Sequence, residues 1–177
     1  MQLGDGTTNG SVLGAISTST DATHKGVLAI RAVAGTPATI GNIISGEGSV
    51  SVLGGTVTLS GVNTYTGGTT VSAGILTLTG DNTGGGTTTV DAGAALHIGT
   101  GGTSGSLAGN IVNNGALVVN RSNALDLLGD LRPGSLTKSG AGTLTLSGIN
   151  TYTGGTTMTG AQLPLLPIAI WVGLRVA

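Results

Sequence analysis

Apolar side chains alternate with small polar ones in short bursts along this chain, and the bursts contain pairs two positions apart. The pairs are Val50/Val52, Leu76/Leu78, Leu96/Ile98 and Leu117/Val119, with Leu136 followed by Lys138 at the same spacing. Period-2 alternation marks strands that bury one face. From each first member to the next the steps are 26, 20, 21 and 19, and each burst follows a turn sequence: EGS, SAG, DAG, NNG and RPGS. Glycine at such corners supplies the positive φ that a sharp bend requires. Hairpins would need partners adjacent in sequence. Bursts about twenty residues apart instead predict a solenoid whose coils pair with the coils above and below.

A longer repeat overlies the short one. GTVTLSGVNTYTGGTTV, residues 55–71, returns as GTLTLSGINTYTGGTTM, residues 142–158, with only Val57, Val62 and Val71 replaced by Leu144, Ile149 and Met158. All three exchanges keep an apolar side chain, and the 87-residue offset predicts about four windings between the copies. In this reading Val57, Leu59, Leu76, Leu78, Leu96, Ile98, Leu117, Val119, Leu144 and Leu146 point inward. Thr56, Thr58, Thr77, Thr79, Thr143 and Thr145 point to water, where β-branching favours the extended backbone. One coil alone buries too few aliphatic groups to offset its backbone entropy, so the unit has to stack. Leu28 and Ile30 precede Val50 and Val52 by a similar interval, which places the first coils upstream of the clear repeats.

Composition narrows the fold class. Glycine fills 35 of 177 positions and charged residues only 7%, far from ordinary globular usage. So much glycine disfavours helices, while Leu, Ile and Val still make up about a quarter of the chain, above the range of disordered sequences. With no Phe, one Trp and two Tyr, the core has to be narrow and aliphatic. The expectation is an all-β chain, a single-stranded parallel β-helix. Its divisions are residues 1–47 as irregular N-terminal coils, 48–162 as the repeat β-helix and 163–177 as an atypical apolar tail. Six scattered basic residues and a net charge of −1, without aromatic stacking platforms, argue against a nucleic-acid partner. Absence of cysteine removes disulfides and thiolate metal sites. MQLGDGTTNG has neither a basic nor an apolar region, so a leader is expected to lie outside this sequence.

GSLTKSGAGTLTLSGINTYTGGTT, residues 134–157, and its looser copy GSVSVLGGTVTLSGVNTYTGGTTVSAGILTL, residues 48–78, resemble the autotransporter-associated β-strand repeat. The intervening GTGGTSGSLAGNIVNNGALVVNRSNAL, residues 99–125, is similar to the segment that links such repeats. The resemblance implies a right-handed parallel β-helix of the pectin-lyase-like kind. It also implies a passenger region exported by bacteria, shown at the cell surface through a C-terminal outer-membrane barrel, and serving stalk and export rather than a reaction. The surface role could be adhesin-like, with a host or bacterial surface ligand as partner. Two features depart from the pattern. No barrel-length strands follow, and by the 87-residue offset Leu76 and Leu78 map to Leu163 and Leu165 with Pro164 between them, where proline removes a ladder hydrogen bond. The tail reads first as non-native sequence after a truncation or frameshift, then as a cap on the open end, and last as a membrane or partner contact.

No catalytic, cofactor-binding or metal residue is assigned, and no cofactor is expected. Asp5, Asp21, Glu47, Asp81, Asp91, Asp126 and Asp130 are the only acids; Asp81 and Asp91, half a coil apart, fall on different faces, and Asp126 and Asp130 read as a solvated turn. Paired carboxylates for glycoside chemistry are thus not indicated. The alternative is a fragment of a β-helical polysaccharide-acting enzyme whose catalytic coils lie elsewhere. His97, between inward Leu96 and Ile98, is aimed outward, and His24 reads as loop; two histidines in different coils make no metal site. The Thr-x-Thr stretches starting at Thr56, Thr77, Thr87 and Thr143 resemble ice-binding ranks, but spacings of 21, 10 and 56 do not align them on one face. Tyr65 and Tyr152 are candidates for a carbohydrate or receptor contact, with anchoring of their own loops the preferred reading.

Overall fold

The computed structural model describes residues 1–19, 23 and 25–159, and within them every ladder is parallel and no helix occurs. Two seven-stranded sheets run the length of the molecule. The first face stacks Gln2–Leu3, Val27–Arg31, Ser49–Gly54, Thr69–Val71, Thr88–Val90, Ile111–Asn113 and Leu131–Arg132. On the second, Ala38–Ile40, Thr56–Leu59, Ile75–Leu78, Ala95–Ile98, Ala116–Asn120, Ser135–Ser139 and Thr156–Met158 follow one another. A third face is broken into short pairs: Ile16–Ser17 on Ile44–Ser45, Asp81–Asn82 on Ser106–Leu107, and Leu125–Leu127 on Leu144–Leu146. The chain visits the three faces in turn, so the fold is a three-sided parallel β-helix.

Register gives the winding length. Val57, Leu76, Leu96, Leu117, Leu136 and Thr156 are consecutive partners on the second face, so a coil takes about twenty residues. The alternation puts one column of aliphatic side chains beside another inside the coil, and Val57, Leu59, Leu76, Leu78, Leu96, Ile98, Leu117 and Val119 are all 0–1% exposed. Like side chains stacked one winding apart fill a narrow core without needing large aromatics. The upstream coils join the same core: Leu28 and Ile30 pair with Val50 and Val52.

Three expectations need correction. Val50 and Val52 do not stand below Leu76 and Leu78; they lie on the first face and pair with Thr69 and Val71. The step of 26 is therefore one coil plus one face. The same geometry changes the meaning of the 87-residue repeat. Thr56–Leu59 of the first copy is a second-face strand, whereas Leu144–Leu146 of the second copy pairs with Leu125–Leu127 on the third face. The copies are four coils and one face apart, because identical alternation and corners fit any side of the helix. Leu144 and Leu146 are consequently only partly buried, packed on the margin of the core. Thr77, assigned to water, is 8% exposed: its outward side chain stands in the ladder between Thr58 and the larger His97. Leu163, Pro164 and Leu165, with the rest of the tail, lie outside the described residues.

Close stacking at corners explains much of the glycine. A Cβ on Gly84 would fall 1.7 Å from the Tyr65 carbonyl oxygen of the preceding winding, while one on Gly102 would meet nothing within 4 Å. Gly84→Ala should lower stability by about 1–3 kcal/mol through overpacking, and Gly102→Ala should change it by less than about 0.5 kcal/mol; urea midpoints of the two variants measure the difference.

One inner column carries a charge. Lys138 stands between Val119 and Met158, is 4% exposed, and donates from Nζ to the carbonyls of Ser139 at 3.0 Å and Gly140 at 2.9 Å. Burial holds its ammonium pKa below the ordinary lysine value. The unfolded chain therefore binds this proton more tightly than the folded one. The resulting penalty is full below the lowered folded pKa and vanishes as pH rises past the unfolded value. Lys138→Met should raise stability near neutral pH by about 1 kcal/mol, with the gap over the parent closing toward pH 10.5 in denaturation midpoints taken across that range.

Candidate functional site

The polar chemistry of the chain gathers at its corners. Gly61-Val62-Asn63, Gly80-Asp81-Asn82 and Gly148-Ile149-Asn150 place an asparagine two residues after a glycine where the chain leaves one face for the next. In each case the Nδ2 donates to that glycine's carbonyl, at 3.1, 3.0 and 2.8 Å. Asn63 Oδ1 accepts the Ile44 N–H at 2.9 Å and its Nδ2 also reaches Asn82 Oδ1 at 3.0 Å; Asn82 continues to the Ser106 carbonyl at 3.3 Å. Asn150 Oδ1 accepts Leu131 N–H at 2.9 Å in the same manner. A carboxamide can donate and accept at once, so it bonds along the axis where a corner interrupts the backbone ladder. Asn63 and Asn82 are 1% and 4% exposed. They are fully used by the fold.

Each tyrosine follows one of these corners, Tyr65 after Asn63 and Tyr152 after Asn150. Tyr65 Oη lies 2.6 Å from Thr69 Oγ1, and Tyr152 Oη lies 2.7 Å from Thr156 Oγ1. Both copies of NTYTGGTT thus close the same hydroxyl pair four residues apart. Tyr65 is buried, and burial pushes its phenol pKa up, partly offset by the Thr69 hydrogen bond. Its ring and hydroxyl serve its own loop, which is the anchoring role expected of it and leaves Tyr65 no free face for a ligand. Beside it a shallow recess with room for about one water is lined by Asn63, Tyr65, Thr69, Asn82, Thr88 and Leu107, with glycine backbone among them and no charged group. Such a lining can hold a water. Its one titratable group, the Tyr65 phenol, is buried and already bonded to Thr69, so the recess brings together no acid–base or nucleophile–base pair.

The acids are dispersed. Asp81 Oδ1 accepts the Ser106 hydroxyl at 2.8 Å, and Asp126 Oδ1 accepts the Ser147 hydroxyl at 2.6 Å, each from the next coil. Asp130 binds the Arg132 guanidinium at 3.1 Å and accepts the Ile149 N–H at 2.8 Å. Asp126 and Asp130 therefore face different partners instead of sharing one site. Asp91 lies past the end of the first-face strand Thr88–Val90, on a different side from Asp81. Asp5 accepts from the Thr7 hydroxyl and the Thr8 and Thr7 amides, which hold its carboxyl well below the usual carboxylate range. Asp21 and His24 lie outside the described residues. His97 points out from the second face, half-buried between Thr77 and Val118, and burial pushes its pKa down. Among the described residues no three His, Cys, Asp or Glu side chains gather as a metal site.

Threonine ranks form only partly. Thr56/Thr58 and Thr77/Thr79 belong to successive coils of the second face, but Thr88–Val90 is a first-face strand and Thr145 lies on the third. Two polar features escaped the sequence reading. Arg121, 7% exposed, donates to the carbonyls of Gly105 and of Thr103 (2.5 Å) and to Asn123 Oδ1 (2.7 Å), and so ties down the loop at 99–105. The Gly-x-Asn corners also went unread as a motif, although their threefold recurrence was the available signal.

Comparison with known proteins agrees with this geometry. The passenger-associated-transport-repeat model matches residues 54–78, 73–94 and 136–163. A stretch of 50 residues, 28% of the chain, is 54% identical to the adhesin BmaC autotransporter of Brucella suis biovar 1 (strain 1330), and covers 1% of that protein's length. No solved structure matches the chain. The first two repeat matches share the second-face strand Ile75–Leu78, and the third starts at Leu136 and runs through the third-face strand Leu144–Leu146. The chain thus carries stretches that match the passenger-associated-transport repeat, and their described part, residues 54–94 and 136–159, is laid out as windings of a parallel β-helix.

Proposed function

We propose that the chain is a non-catalytic stalk segment of an exported autotransporter passenger, displayed at the bacterial surface and adhesin-like in use. The observation that carries this reading is the coincidence of the repeat matches with stacked windings around one continuous aliphatic core. A rod of this kind resists bending because each coil is hydrogen-bonded to its neighbours over two long sheets. It works by holding surface groups away from the membrane, with an outer-membrane barrel in cis and a host or bacterial surface ligand as partner. Nucleic acid, small-molecule cofactors and metals have no part in it.

The printed name of the Brucella relative supports the adhesin-like part of the reading, over a small share of that long protein. The rival, a fragment of a polysaccharide-acting enzyme, draws no support from the acids: Asp81, Asp126 and Asp130 each satisfy a neighbouring hydroxyl, amide or guanidinium.

The chain, tagged at its N-terminus and placed between a secretion leader and an outer-membrane barrel in a Gram-negative host, should reach the surface of intact cells. There it should survive protease as a folded block. A Leu96→Asp variant, which buries a charge in the column, should lose that protection. Tag exposure without protease resistance in the parent chain, or barrel insertion without any display of the tag, would contradict the stalk assignment.

A further inference from the structure

Two asparagine-glycine dipeptides occur in the chain, Asn9-Gly10 and Asn114-Gly115. Glycine places no Cβ beside its amide nitrogen, so that nitrogen can approach the preceding side-chain carboxamide more freely than in any other residue. The fold treats the two sites differently. Asn9 is clamped at both ends: its Oδ1 accepts the Val33 N–H at 2.8 Å and its Nδ2 donates to the Thr36 carbonyl at 3.1 Å.

At the other site the structural duty falls on the preceding residue. Asn113 is 0% exposed; its Nδ2 donates to the Ser135 carbonyl at 2.8 Å and its Oδ1 accepts the Gly115 N–H at 3.2 Å. Asn114 is exposed and uses its backbone N–H on the Val90 carbonyl at 2.8 Å. Its side chain makes no hydrogen bond among the described residues, so the Cγ turns freely toward Gly115. The Gly115 N–H makes one hydrogen bond, the long one to Asn113 Oδ1.

We propose that Asn114 is a spontaneous modification site, where the fold leaves one asparagine-glycine corner open to deamidation and protects the other. Hydroxide removes the Gly115 amide proton, the nitrogen bonds to Asn114 Cγ, and the Cγ–Nδ2 bond breaks with release of ammonia. Water then opens the five-membered imide at either carbonyl, giving aspartate or isoaspartate. The aspartate product adds a carboxylate to the exposed corner one winding above Asp91. Isoaspartate inserts a carbon into the main chain where Gly115 is tightly seated, its Cβ position lying 2.2 Å from the Ala94 carbonyl oxygen and 2.6 Å from that of Asp91. That product should loosen the corner.

The experiment compares the two sites in one molecule. The chain is held in mildly alkaline buffer, folded in one arm and in concentrated urea in the other, and amide-to-acid conversion at residues 9 and 114 is followed by peptide mass spectrometry. Conversion at Asn114 should run at least several-fold ahead of Asn9 in the folded arm, and the two rates should converge in urea. Asn114→Gln should abolish the fast phase of ammonia release. Equal rates in the folded arm, a faster Asn9, or a ratio that persists unchanged in urea would each overturn the proposal.

Discussion

Every winding takes its hydrogen-bond partners from the windings on either side, and that dependence organises the rest of the structure. A coil of about twenty residues offers its long strands no partner of their own on either edge. Side chains must therefore recur at the same interval, or the ladder and the core would fall out of step. Where the ladder is interrupted at a corner, a carboxamide substitutes for it, as Asn63, Asn82 and Asn150 show. Where two corners press together, only glycine fits between them, as at Gly84. Composition, corner chemistry and strand alternation are consequences of one requirement.

The same requirement explains what was legible in the sequence. Period-2 alternation revealed the inward columns from Val57 to Val119 because a buried column tolerates only aliphatic groups. Twenty-residue spacing revealed the solenoid. Which side of the coil a burst occupied was not legible, since Val50/Val52 and Val57/Leu59 are chemically alike yet belong to different faces. Nothing in an alternating apolar pair distinguishes one flat side from another. Only the step of 26, too long for a coil, hinted at the change.

Polar residues were harder to read than apolar ones. Lys138 occupies an inner column because its flexible stem can lie among aliphatic groups while Nζ turns back to two carbonyls. Arg121 is buried for the opposite reason, reaching outward under a loop to satisfy it. Both are ordinary basic residues in a composition count. For the candidate site, the spacing placed Asp81 and Asp91 on different faces, but the use of Asp81, Asp126 and Asp130 as axial acceptors depended on which hydroxyl or amide the next coil brought alongside.

The displaced second copy has a wider meaning for such rods. Because the NTYTGG turn follows a second-face strand in one copy and a third-face strand in the other, the two turns emerge at different azimuths about the long axis. Duplication of a segment that is not a whole number of revolutions spreads its decorations around the circumference. An approaching surface then encounters the same turn from more than one direction, with no further change in sequence.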